Sequence, residues 1–208
     1  YDKKISKFDT KDLVYKPSPH LISSIIKYDK QKFKIEDFSL KEIWNNDNIS
    51  DKEFKNLNNF YWFFSLDLKS SKQEVQSVIS NWIKRNYSYN DKCWSYDLVA
   101  KRIISWLSNH NLSYDGSDKD YKSDFNKIIL KQTNHLINEV SKSKTLDDKL
   151  ICCASIILVG LCYQEGKKYL SFGVSLLKKI TKLSLENSGF PKSRNIKQLI
   201  FYLKYLIL

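Results

Sequence analysis

Leu150-Ile151-Cys152-Cys153-Ala154-Ser155-Ile156-Ile157-Leu158-Val159-Gly160-Leu161-Cys162 is the stretch on which the reading of this chain turns. It carries no charge and offers no polar face to water. A helix that is apolar all round belongs in the interior of a larger assembly of helices. Lys149 and Gln164 flank it, and it falls short of the about 18 apolar residues that a membrane-spanning helix needs. It predicts a central core helix from about Asp147 to Tyr163. Cys152, Cys153 and Cys162 lie on it and Cys93 elsewhere, with no Cys-x-x-Cys pair. They read as buried, reduced thiols, because free Cys behaves as a small hydrophobe. No metal set and no cofactor are expected.

Outward from this helix the apolar positions repeat at helical spacing. On the N-terminal side, Leu57, Phe60, Tyr61, Phe64 and Leu68 share one face. Ser71 and Glu74 stand at capping-box spacing before a helix burying Val75, Val78, Ile79, Trp82 and Ile83. Tyr96, Val99, Ala100, Ile103, Trp106 and Leu107 mark a third, which Asn109 to Gly116 ends. Tyr121, Phe125, Ile128, Ile129, Gln132, Leu136 and Val140 mark a fourth. Beyond the central helix, Leu170, Gly173, Leu176, Leu177, Ile180 and Leu183 form a sixth. After the loop Glu186 to Pro191, Ile196, Leu199, Ile200, Leu203 and Leu206 form the stripe of a seventh. No segment alternates with period two, so the fold class is all-α, built from antiparallel helical hairpins. Residues 1–55 are weakly periodic, with Pro17 and Pro19 marking an extended segment, and read as an N-terminal extension.

Composition narrows the partners. The 208 residues carry a net charge of +12, yet 42% are hydrophobic and 14% aromatic, which excludes a disordered basic tail. Residues 121–208 hold 15 basic and 6 acidic side chains, or +9 of the total. A localised positive field draws polyanions such as nucleic acid, anionic lipid or acidic polysaccharide. No nucleic-acid module is recognisable, so nucleic acid ranks last, and no membrane span is expected. Met is absent and the chain ends on Tyr205-Leu206-Ile207-Leu208, so it reads as a piece cut from a longer protein.

An ordered series of short motifs then carries a resemblance. Asn59-Phe60-Tyr61-Trp62-Phe63-Phe64 with Asp67-Leu68 is followed by Asn81-Trp82-Ile83 and by Lys101-Arg102-Ile103-Ile104-Ser105-Trp106. Next come Lys131-Gln132-Thr133-Asn134-His135-Leu136, the Gly160 helix, and Ser188-Gly189-Phe190-Pro191-Lys192-Ser193-Arg194-Asn195. The order resembles the N-terminal helical domain of bacterial heparinase II/III-like proteins. The resemblance implies an incomplete (α/α) toroid over residues 56–208, truncated at its C-terminus. A downstream β-sandwich domain, absent from this chain, would complete it. It also implies β-elimination on uronic-acid polysaccharides, in the periplasm; the unpaired cysteines fit the cytoplasm equally well.

Such a lyase removes the C5 proton of a uronate and expels the O4 substituent, with a base, an acid and donors that neutralise the carboxylate. The family's toroid supplies an Asn-His pair and a Tyr. At those positions this chain has Asp147-Asp148-Lys149 and Gln198, and its Asp-Gly reads Ser188-Gly189. Asn134 and His135 are the replacement candidates for catalysis. Lys192, Arg194 and Asn195, ahead of a helix, form a candidate anion site, since helix N-termini and the Arg fork both suit carboxylate or sulfate. Helix capping and an internal ion pair explain the same residues equally well. Trp62 and Trp94 are candidate sugar-stacking platforms, Arg102 reads as a buried ion-pair residue, and His20 and His110 are assigned no role. The alternative to a lyase is a non-catalytic domain of the same fold that binds acidic glycan or serves as a scaffold.

Overall fold

The central helix forms as its sequence predicts, over Leu146–Cys162 (α6). Thr145 caps it, its hydroxyl accepting from the Asp148 amide at 3.1 Å, and Asp147 and Asp148 sit in the first turn, where the helix dipole favours acid. Leu150, Ile151, Ile156, Leu158 and Val159 are buried, as are the three cysteines. Burial of each such aliphatic side chain contributes roughly 1.5–3 kcal/mol. All four cysteines are free, and burial pushes the Cys153 and Cys162 thiols up to about 12, leaving them without thiolate character.

The computed structural model describes residues 1–8, 12–18 and 49–208; Pro19 and His20 lie outside them. Among the described residues the other helices are Asp2–Ile5 (α1), Asp51–Asn59 (α2), Lys72–Asn86 (α3), Tyr96–Ser108 (α4), Lys119–Glu139 (α5), Lys167–Ser184 (α7) and Ile196–Ile207 (α8). A single turn, His110–Ser113, and two 3₁₀ segments, Tyr61–Ser65 and Val140–Lys142, join them. No strand is present among these residues beyond two isolated bridges. Helix α6 touches α4, α5, α7 and α8. Its tightest neighbour is α7, where a β-carbon on Gly160 would stand 2.5 Å from the Leu170 amide nitrogen and one on Gly173 2.5 Å from Ile157 Cγ1. Only glycine permits that approach.

Three expectations change. The stripe from Leu57 to Leu68 is not one helix: α2 stops at Asn59, and Phe60 turns left-handed at φ 58°. Burial holds Phe60 there, with its ring edge-on to Phe63, Trp82 and Trp106 and its carbonyl accepting from Ser105 Oγ at 2.5 Å. Arg102 is fully buried as expected, but forms no ion pair with an acid among the described residues. Its guanidinium donates to the Asn58 and Cys93 carbonyls at 2.8 and 2.9 Å and lies 3.9 Å from the Trp82 ring. Burial pulls it down to about 9, against the Cys93 thiol and Asp97. Finally, α8 turns its aliphatic stripe outward. It is held instead by Tyr202 and Tyr205, both buried, with Tyr205 and Tyr61 hydroxyls 3.1 Å apart.

The described N-terminal residues are strapped onto the helical body. Ile5 is fully buried, Asp2 meets Lys131 at 2.5 Å, and the Val14 amide donates to the Cys162 carbonyl at 2.8 Å. The expected boundary between residues 55 and 56 falls inside α2.

Candidate functional site

Asn134 and His135 lie on the face of α5 that receives the N-terminal segment. His135 is buried, with Nε2 2.7 Å from the Trp94 carbonyl and Nδ1 2.6 Å from the Tyr1 hydroxyl. A carbonyl only accepts, so Nε2 carries the proton and Nδ1 accepts from Tyr1. Burial holds the imidazole below its usual range, in keeping with this neutral form. Asn134 donates to the Ile5 carbonyl at 2.8 Å and accepts from the Tyr169 hydroxyl at 3.2 Å. The pair therefore clamps the N-terminal strap, His135 through Nδ1, while its Nε2 is taken by the Trp94 carbonyl.

Trp62 and Trp94 are corrected from sugar platforms to core residues. Both are buried; Trp62 Nε1 donates to the Leu57 carbonyl at 3.3 Å and Trp94 Nε1 to the Asn86 carbonyl at 3.0 Å. The segment at 192–195 is exposed, but its polar groups close on its own surroundings. Lys192 Nζ donates to the Lys182 carbonyl at 2.9 Å, Arg194 pairs with Glu186 at 3.0 Å, and Asn195 Oδ1 accepts from the Lys197 amide at 2.9 Å as the cap of α8. Ser193 donates to Gln198, which in turn donates to Asp147 at 3.1 Å. These are the capping and ion-pair roles that the sequence left open beside anion binding. His110 pairs with Asp115 at 3.0 Å.

The concave site lies elsewhere, where the N-terminal strap, α5 and the turn between α6 and α7 meet. A cavity of about 360 Å³ is lined there by Lys7, Phe8, Leu130, Tyr163, Glu165, Lys168 and Tyr169. That volume falls within the roughly 300–1,000 Å³ of ordinary ligand pockets. Its positioning follows from the fold. Tyr163 ends α6, bridges to Leu13, and donates to Asn126 Oδ1 at 2.8 Å; Asn126 donates to the Tyr114 hydroxyl at 3.1 Å, which donates to Asp12 at 2.9 Å. Tyr169, in the first turn of α7, is fixed by Asn134, and Lys168 Nζ lies 4.8 Å from its ring centroid. Gly166 is the N-cap of α7, and the first turn of that helix contributes Lys168 and Tyr169 to the lining.

Among the described residues the lining offers two ammonium groups, one carboxylate and aromatic walls. Burial pushes the Tyr169 phenol up to about 12 and holds the Tyr163 phenol well above its ordinary range, so neither is poised to take a proton near neutral pH. A second concavity of about 450 Å³ lies by α2 and α4, where Lys52, Lys55 and Lys101 stand against Asp51 and Asp97, Lys101 pairs with Asp97 at 3.4 Å, and no aromatic ring is among the described lining residues. Among the described residues no cluster of His, Cys, Asp and Glu suits a metal ion, and no helix is long and apolar enough to cross a membrane.

Lys7, Phe8, Tyr163, Lys168 and Tyr169 were not singled out by sequence. The only local signal is Tyr163-Gln164-Glu165-Gly166-Lys167-Lys168-Tyr169, a turn with tyrosine at both ends and a lysine pair. Compared with known proteins, the chain matches no family model, no curated protein and no solved structure.

Proposed function

We propose that this chain is a non-catalytic helical domain that binds an acidic polysaccharide, with a uronate unit in the cavity between the N-terminal strap and the α6–α7 turn. The observation that carries this reading is the pairing of Lys7 and Lys168 with the rings of Phe8, Tyr163 and Tyr169 in one cavity. A sugar ring presents C–H groups to an aromatic wall while its carboxylate meets an ammonium. The +9 of residues 121–208 supplies the longer-range field that concentrates a polyanion near the surface. The incomplete toroid, a β-sandwich beyond this segment and a lyase ancestry belong to the same reading and rest on the motif series alone. The engagement of both His135 nitrogens and the high phenols of the cavity favour binding over β-elimination.

The test is titration calorimetry with oligouronates and, as a control, neutral oligosaccharides of equal length. The uronate should bind, weaken as salt rises and be lost in Lys168→Glu. Equal binding of the neutral glycan, or an unchanged Lys168→Glu, overturns the reading. Growth of ultraviolet absorbance from an unsaturated product overturns its non-catalytic part.

A further inference from the structure

Helix α8 carries a second feature, independent of the cavity. Ile196, Ile200, Leu203 and Ile207 are 66, 63, 45 and 57% exposed, although aliphatic side chains at this spacing are ordinarily the buried face of a helix. The steps of four, three and four residues make a strict seam, with Ile200 and Ile207 at a-type positions and Ile196 and Leu203 at d-type positions. The two shoulders of the seam differ. Lys197 and Lys204 occupy the e-type shoulder, and Leu199 and Leu206 the g-type shoulder. Burial, with Lys101 adding to it, lowers the Lys204 ammonium pKa, and Lys101 itself pairs with Asp97 at 3.4 Å.

Three occupants compete for such a face. A second copy in parallel sets each lysine shoulder against a leucine shoulder, and an antiparallel copy sets lysine against lysine; neither arrangement gives the lysines an acid. A lipid surface calls for a broad apolar face with aromatic residues, whereas the outward seam holds four aliphatic side chains and no ring. A foreign helix with an apolar seam and an acidic flank satisfies both shoulders. Residues 174–208 as a whole reinforce the match, with Lys178, Lys179, Lys182, Lys192, Arg194, Lys197 and Lys204 against Glu186 alone, itself paired to Arg194.

We infer that the outward seam of α8 docks an amphipathic helix of another protein, one whose aliphatic a/d face meets Ile196, Ile200, Leu203 and Ile207 and whose acidic flank meets Lys197 and Lys204.

Two fluorescent synthetic helices of about three heptads serve as probes, with identical Ile/Leu seams and either Glu or Lys at the e and g positions. Anisotropy titration should show the Glu-flanked probe binding and the Lys-flanked probe not. Ile200→Asp should weaken the Glu-flanked probe by at least about tenfold, or ~1.4 kcal/mol. The double variant Lys197→Glu/Lys204→Glu should exchange the preference, binding the Lys-flanked probe instead, which no folding defect can mimic. Failure of the Glu-flanked probe to bind overturns the inference, as does binding that ignores Ile200→Asp or the charge exchange. Dissociation of a dimer of this chain by Ile200→Asp assigns the seam to a second copy. Loss of sedimentation with phosphatidylserine vesicles in the same variant assigns it to lipid. Either result overturns the helix assignment.

Discussion

Helices α6 and α8 are both rich in aliphatic side chains, yet the fold treats them in opposite ways. Leu150, Ile156, Leu158 and Val159 of α6 are enclosed by four other helices. Ile196, Ile200, Leu203 and Ile207 of α8 stand in water, and the helix is anchored through Tyr202, Tyr205 and Gln198. Apolarity all round left α6 no alternative to the interior. On α8 the apolar residues leave a second face, and tyrosine, whose rim is apolar and whose hydroxyl finds partners, took the inward side. The lesson is that a hydrophobic stripe marks a surface that seeks cover without saying which molecule supplies it.

The largest test of this contrast compares two isoleucines. Ile156→Ala should cost about 2–5 kcal/mol, since it leaves a cavity in a closed core, whereas Ile200→Ala should stay within about 0.5 kcal/mol. Denaturant midpoints measure both, and comparable losses would mean that α8 is buried after all. Next, Gly160→Ala should cost about 1–3 kcal/mol by overpacking the α6–α7 contact; a neutral result would show that Leu170 moves away freely. Smaller again is Tyr205→Phe, which removes the hydroxyl contact to Tyr61 and should cost about 1 kcal/mol. If α8 is held by its tyrosines, the loss appears in hydrogen-exchange protection of α8 before that of α6.

The smallest expected effect is pH-dependent and lies on the interior side of the contrast. Burial holds the folded-state pKa of His135 below the ordinary value of about 6.5. The unfolded chain therefore binds more protons in that interval, and stability rises with pH there. The contribution is fully present above about 6.5 and is lost as pH falls through the lower folded value. His135→Gln should flatten that acid limb of the denaturant midpoint; an unchanged limb would place the titration elsewhere.

Much of the helical layout was legible because core contacts repeat at the helical period. Val75, Val78, Ile79, Trp82 and Ile83 are the buried face of α3, and α4, α5 and α6 occupy their expected spans. Phe60 was not legible, because a left-handed non-glycine residue is held by tertiary contacts and leaves no periodic trace. Arg102 was legible as buried but not as a guest of carbonyls, since main-chain acceptors have no letter in a sequence. Asn134 and His135 stood out only as candidates for catalysis in the motif series, because what they hold, Ile5 and Tyr1, is more than a hundred positions away.

The cavity shows the same division. Tyr163 and Lys168 are close in sequence, but Lys7 and Phe8 reach them only when the strap crosses α5. The sequence by itself determined the helical class, the central place of α6 and the basic field of the C-terminal residues, because each depends on local period, composition or charge. Tertiary structure alone decided which face of α8 turned outward, where Phe60 broke its helix, and which lysines came to share a cavity. Those outcomes depend on the competition of distant side chains for one interior, and that competition is settled only when the chain closes on itself.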